Sequence, residues 1–362
     1  MLIYIFCIIF SCLFAFIASK LNENYKKSPT KQNFAGFFIF ACLAFIIPFL
    51  IMALRGYNVG TDTSGTYYEI YIKALRNNSS VRDMGYYVIN KIAILLFGNY
   101  RGVLILTSFI ICFIAYKEIF SESKNPLLST YLFYATNVYF ISMNMIRQSI
   151  ATMIFIISIK YIKDRKFIKY LICILIATSV HTIAILYLPL YFIGSKKYDL
   201  KKIIPITLII SLLSKFLYKY VINILNSIDY FQDYFSWYFT SHYNSGYLNL
   251  YSLLISVFIL ILVLLGYKKG KDNFNYKLIG TMSALSVMFL SYSKYIPLSQ
   301  RASFLMSYPL FIYLPEMVNF VEKPLLKFIN KYGIIIGYGL YMTATIFIMH
   351  YHAVVPYSSM FN

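Results

Sequence analysis

Residues 34–54 read FAGFFIFACLAFIIPFLIMAL, and Arg55-Gly-Tyr-Asn-Val-Gly-Thr-Asp-Thr63 follows at once. The first run holds no charged side chain. At 1.5 Å of rise per residue it is long enough to cross the roughly 30 Å hydrocarbon core of a bilayer. It predicts a membrane-spanning helix that ends where the arginine begins. The rest of the chain repeats this alternation of apolar run and short polar break.

Of 362 residues, 60% are hydrophobic and 13% charged, against about 25% charged in an ordinary soluble domain. A water-soluble fold could not hide that surplus, whereas a bilayer can. Spans are expected near Leu2–Ala18, Phe34–Leu54, Gly102–Tyr116, Pro126–Met143, Ser149–Tyr161 and Phe167–Val180. Others are expected near Thr182–Ile193, Ile203–Tyr218, Leu248–Gly266, Leu278–Tyr292, Ser303–Val318 and Gly333–His350. The expected fold class is therefore all-α, a single polytopic transmembrane domain over 1–362 with about 12 helices, in a range of roughly 10–14. Met1–Ala18 lacks the basic start of a signal peptide and reads as the first membrane helix. Tyr86–Phe97 is apolar but short, and Lys91 interrupts it, so the extracytoplasmic stretch 55–101 is expected to hold a re-entrant or interfacial helix.

The net charge of +20 does not imply nucleic acid, because the basic residues form no face on a soluble domain. They cluster in alternate loops at Lys20–Lys31, Lys117–Lys124, Lys160–Lys169, Lys196–Lys202, Lys268–Lys277 and Lys323–Lys331. The Lys-rich side is cytoplasmic by the positive-inside rule, which puts both termini outside. The opposite loops are rich in Tyr, Asn, Ser and Gly. One of them, 219–247, includes DYFQDYFSWYFTSHY at Asp229–Tyr243 and the only Trp. An amphipathic helix at the lipid interface explains that stretch, and an aromatic lid for sugars is the sharper alternative. The five cysteines lie in predicted spans and show no metal-binding spacing. No nucleotide-phosphate loop is present, which argues against an ATP-driven machine.

Ionisable groups near the membrane are costly and tend to mark function. Arg55 and Asp62 open the first long outer loop. An ordinary capped loop with a snorkelling arginine explains them as simply as a site does. Arg147 and Gln148 lie in Asn144-Met-Ile-Arg-Gln, wedged between two spans. A guanidinium there can hold a phosphate by two parallel hydrogen bonds or anchor a lipid headgroup. His181 sits between two short apolar runs and can titrate near neutrality. Arg301 opens another span. His350 and His352 are two residues apart, so a helix would point them to different faces and a metal pair is not expected.

At these residues the chain resembles the EpsG family of bacterial exopolysaccharide proteins, related to Wzy-type O-antigen and capsule polymerases. The resemblance is carried by Arg55…Gly60-Thr61-Asp62-Thr63…Tyr67, by Arg147-Gln148-Ser149-Ile150-Ala151 and by Tyr161…Tyr170…Ala177…His181…Leu188-Pro189. Arg301…Tyr308 and Pro356-Tyr357 complete it. It implies a GT-C-like glycosyltransferase architecture in the bacterial cytoplasmic membrane, with an extracytoplasmic active site and no cofactor or metal. The implied partner is an undecaprenyl-diphosphate-linked oligosaccharide whose repeat units the protein joins. A chain-length regulator and a flippase of the same pathway are further candidate partners. Asp62 and His181 are the candidate bases, and Arg55, Arg147, Gln148, Arg301 and Tyr357 the candidate substrate-binding residues. An O-antigen ligase shares nearly all of this chemistry. A lipid-linked oligosaccharide flippase would need ionisable groups on both faces, and an acyltransferase a cytoplasmic His base.

Overall fold

The computed structural model describes residues 1–195, 197–227, 250–296 and 299–361. Among them the regular structure is helical, apart from one isolated antiparallel bridge between Arg55 and Ser359. The expected aromatic stretch Asp229–Tyr243 lies outside the described residues. The chain divides into two compact units.

The first unit comprises Met1–Tyr191, Phe311–Glu316 and Lys331–Asn362. Its helices are α1 (Leu2–Lys27), α2 (Lys31–Ala53), α3 (Thr66–Leu75), α4 (Met84–Phe97) and α5 (Tyr100–Glu122). They continue with α6 (Pro126–Ala135), α7 (Val138–Ser142), α8 (Ile146–Lys163) and α9 (Phe167–Val180). A 3-10 helix, Thr182–Gly194, follows α9. Local chemistry sets the breaks. Thr30, Asn99 and Asn125 each accept a backbone N–H from the first turn of the helix they precede, which satisfies a donor left over at a helix start. Gly98 ends α4 in the left-handed region at φ 70°, which suits a residue without Cβ.

The second unit comprises Phe192–Leu310 and Met317–Asn330. It contains α10 (Leu200–Leu212), α11 (Ser214–Asn226), α12 (Leu250–Gly270), α13 (Phe274–Tyr292) and α14 (Ser299–Ser307). Ser256, Ser286 and Ser303 form a hydroxyl ladder at 3.1 and 2.8 Å that joins α12, α13 and α14. Small hydroxyl side chains let apolar helices approach closely while satisfying one another.

Five helical segments among the described residues are long and apolar enough to cross a membrane: Leu2–Lys27, Lys31–Ala53, Tyr100–Glu122, Leu250–Gly270 and Pro324–Ile348. Their outer faces expose large apolar side chains such as Leu2, Phe38 and Leu340, which lipid covers at no cost. The protein is a membrane protein. Among the other expected spans, α8 and α13 run 18 and 19 residues, and several more are shorter or interrupted. Pro126–Met143 divides at Asn137, whose φ is 66° and whose amide donates to Thr345 at 2.7 Å. Ser303–Val318 likewise breaks into α14, a short α15 (Leu310–Tyr313) and a 3-10 turn, Leu314–Phe320. Tyr86–Phe97 is a single helix, α4, packed against α3, α5 and α9.

In the first unit α1 and α2 form an antiparallel hairpin whose connection carries the lysines around Lys27. Lys163 pairs with Glu122 at 2.6 Å, so the ends of α5 and α8 meet on that Lys-rich side. The start of α5 lies at the opposite end, where Arg101 bonds the Arg55 carbonyl at 2.5 Å. About 35 Å of helix separates the two ends of α5.

The C-terminal tail returns to that second end and clasps the loop after α2. Gly56 N–H donates to Ser358 O at 2.8 Å, Met360 N–H to Leu54 O at 2.9 Å and Gly60 N–H to Ala353 O at 3.0 Å. Gly60 is at φ 91°, and a Cβ there would lie 2.8 Å from the Met143 carbonyl oxygen. Both conditions demand glycine. Gly60→Ala is expected to cost about 1–3 kcal/mol, read as a lower thermal midpoint of the detergent-solubilised protein, whereas Gly65→Ala, with nothing within 4 Å, leaves the midpoint nearly unchanged.

Candidate active site

The break between α7 and α8 gathers the charged and polar groups of the first unit. Over Ser142–Met145 the helix stops, and the freed carbonyl of Met143 must find donors in an apolar surrounding. It receives Arg55 Nη2 at 3.2 Å and the Thr63 hydroxyl at 3.4 Å. The next residue, Asn144, accepts the Asp62 N–H and the Thr61 hydroxyl on Oδ1, both at 2.9 Å. Its Nδ2 lies 3.0 Å from His352 Nδ1. Because Oδ1 already serves two donors, Nδ2 is the donor in that contact, and Nδ1 of the imidazole accepts.

Arg55 is 1% exposed. Its Nη1 donates to the Met52 carbonyl and to Ser108 at 3.5 Å. Arg101 Nη1 reaches the carbonyls of Ala53 at 3.3 Å and Arg55 at 2.5 Å. The last carbonyls of a helix have no intrahelical donor, and cations are favoured there. The two arginines therefore finish α2. Arg55, a candidate substrate-binding residue, bonds the Met52 and Met143 carbonyls and the Ser108 hydroxyl here.

Two other expected substrate residues are likewise turned to the protein. The Tyr357 hydroxyl donates to Ile51 O at 3.0 Å, and its ring meets Tyr4 edge-on at 5.5 Å. Gln148 is 2% exposed in the first turn of α8. Asp62 is partly exposed, with the Thr61 hydroxyl 3.4 Å from its Oδ1.

In the first turn of α8, Arg147 Nη1 meets Asp83 Oδ2 at 2.5 Å. His181 Nδ1 lies 3.6 Å from the same oxygen, and the Thr182 hydroxyl donates to Asp83 Oδ1 at 3.4 Å. Two segments far from Asp83 in sequence thus meet on its carboxylate. The sequence reading named Arg147 and His181 but passed over Asp83, which ends the polar run Asn77–Asp83 and looks like an ordinary helix-start residue. Its setting is what distinguishes it: the residue is buried. Gly85 makes this approach possible, because a Cβ there would lie 2.9 Å from the Ser179 backbone. The Arg147 guanidinium also lies 5.6 Å from the Tyr67 ring centre, and its Nε is buried without a hydrogen-bond partner among the described residues.

Burial pushes the Asp83 carboxyl up, but the His181 contact and the Arg147 charge outweigh it, and the carboxyl sits below its usual range. The tautomer protonated on Nδ1 turns its N–H toward the carboxylate and leaves Nε2 as the basic nitrogen. Asp83, Arg147 and His181 thus bring a carboxylate, a guanidinium and an imidazole together. Arg301 belongs to the second unit, where it lies half-buried in the first turn of α14.

A carboxyl whose folded pKa is depressed adds stability that is complete above its unfolded value, about 3.9, and is lost as pH falls through the folded value. The midpoint deficit of Asp83→Asn is therefore expected to persist above about pH 5 and to shrink as pH falls below about 4. Thermal melts in detergent across that range check it.

Residues 38–359 match the sequence profile of the EpsG family. No curated protein and no solved structure matches the chain.

Proposed function

The chain belongs to the EpsG family, a family of Wzy-type polymerases, and on that premise we propose that it joins lipid-linked oligosaccharide repeat units into a polysaccharide. The donor in this proposal is a glycan on undecaprenyl diphosphate, and the reaction takes place on the extracytoplasmic side of the bacterial cytoplasmic membrane. The sidedness rests on the Lys-rich loops, which by the positive-inside rule leave the Asp83 cluster facing outward. Arg147 and His181 both facing the Asp83 carboxylate is the observation that supports the reading.

The chemistry assigned to these groups is a glycosyl transfer. A hydroxyl oxygen of the acceptor repeat unit attacks the anomeric carbon of the donor glycan. The bond from that carbon to the diphosphate oxygen breaks, and the lipid diphosphate leaves with the electron pair. His181 Nε2 takes the hydroxyl proton. Asp83 holds the imidazole and stabilises the imidazolium that forms. Arg147 faces the charge that develops on the leaving oxygens, and a preorganised cation counts most in a water-poor site. Asp62, on the other flank of the Asn144 turn, is assigned to hold the acceptor hydroxyl. Arg301 is a second candidate cation, carried by its place in the family resemblance.

A ligase would use the same three groups. The two are separated by glycan gels of a deletion strain, since loss of a polymerase leaves single repeat units and loss of a ligase leaves polymer on the lipid carrier. Arg147→Ala, Arg301→Ala and His181→Ala are expected to abolish long chains with membrane insertion intact. His181→Ala should slow turnover of synthetic lipid-linked repeats by about 10²–10⁴-fold, and polymer of normal length in any of the three would reject the role given to that residue.

A further inference from the structure

Four tyrosines form a braced aromatic surface beside the Asp62 loop. Tyr100, 5% exposed, lies at its centre. The rings of Tyr57, Tyr68 and Tyr71 have their centres 5.4, 5.3 and 5.4 Å from it. Tyr68 and Tyr71 also stack at 6.0 Å. Tyr57 and Tyr68 are each 45% exposed, whereas Tyr71 is 7%. The outer pair is therefore mounted on an inner pair.

Two further contacts lock the assembly to the site. Tyr100 donates its hydroxyl to the Thr63 carbonyl at 2.5 Å, within the loop that carries Asp62. The Arg101 guanidinium lies 4.4 Å from the centre of the Tyr57 ring, held in place by the α2 carbonyls it bonds. A half-exposed aromatic ring that is already immobilised loses little freedom when a ligand covers it.

We infer that Tyr57 and Tyr68 form a saccharide-binding platform that receives uncharged sugar rings of the lipid-linked glycan beside the catalytic cluster; this deepens, and rests on, the polymerase reading. The π face of an aromatic ring is electron-rich and attracts the polarised C–H face of a pyranose. The loop that carries Tyr57 also exposes Asn58, Thr61 and Ser64, polar side chains that suit hydroxyl-bearing rings. Interfacial tyrosines that merely meet lipid headgroups need neither a guanidinium brace nor an amide and hydroxyl rim. The platform leaves Arg147 for the diphosphate and gives the sugars a separate foothold.

The test uses the full chain in nanodiscs and lipid-free oligosaccharides released by mild acid from the producing cell's own polymer. Isothermal titration is run on the wild type, on Tyr57→Ala/Tyr68→Ala and on Tyr57→Phe/Tyr68→Phe, each shown by thermal melt to be folded. The wild type is expected to bind, the Ala pair at least about tenfold more weakly, and the Phe pair close to the wild type. Binding by the Ala pair equal to the wild type, equal losses in the Ala and Phe pairs, or no binding by the wild type at millimolar glycan would each overturn the platform. Failure of the polymerase reading is distinguishable, because it appears as unchanged polymer in a deletion strain, whatever these titrations give.

Discussion

A helix that stops inside a membrane protein must find partners for the peptide groups it releases, because the surrounding lipid offers none. The break between α7 and α8 meets that demand by recruiting other segments. Met143 O draws in Arg55 and Thr63, and Asn144 draws in Thr61, Asp62 and His352. The arginine that reaches Met143 also finishes α2 through the Met52 carbonyl. One break therefore fixes where the loop after α2, the C-terminal tail and the start of α8 meet. The start of α8 in turn delivers Arg147 to Asp83.

This arrangement separates two kinds of arginine that look alike in a sequence. Arg55 and Arg101 spend their donors on helix-end carbonyls and hold the scaffold. Arg147 is bound to a carboxylate that also faces an imidazole. The same division applies to the tyrosines. Tyr4, Tyr134 and Tyr139 are buried and give their hydroxyls to Val354 O, Ser11 and Pro48 O, while Tyr57 and Tyr68 leave nearly half their surface open.

The membrane class was legible from the apolar runs alone, and α1, α2 and α5 lie close to where those runs placed them. Breaks inside the runs were not legible: Asn137 sits in a mostly apolar stretch, and its amide meets Thr345, more than 200 residues away. Of the expected site residues, Arg147, His181 and Asp62 gather at one end of the first unit, because each lies at a helix break on the side away from the lysines. Arg55 was read as a phosphate ligand since a sequence reveals that an arginine follows a span, not which carbonyls it will reach. Asp83 was passed over for the opposite reason: it stands in a polar loop where a carboxylate costs nothing, and only tertiary packing buries it beside Arg147.

The central claim is that His181, oriented by Asp83, is the base of glycosyl transfer. It is tested most directly by the pH dependence of single turnovers on a synthetic lipid-diphosphate-linked repeat unit, using purified protein. The account predicts a wild-type rate that falls about tenfold per pH unit below an apparent pKa in the histidine range, and a slow rate without that limb in His181→Gln. Persistence of the same acid limb in His181→Gln would contradict it.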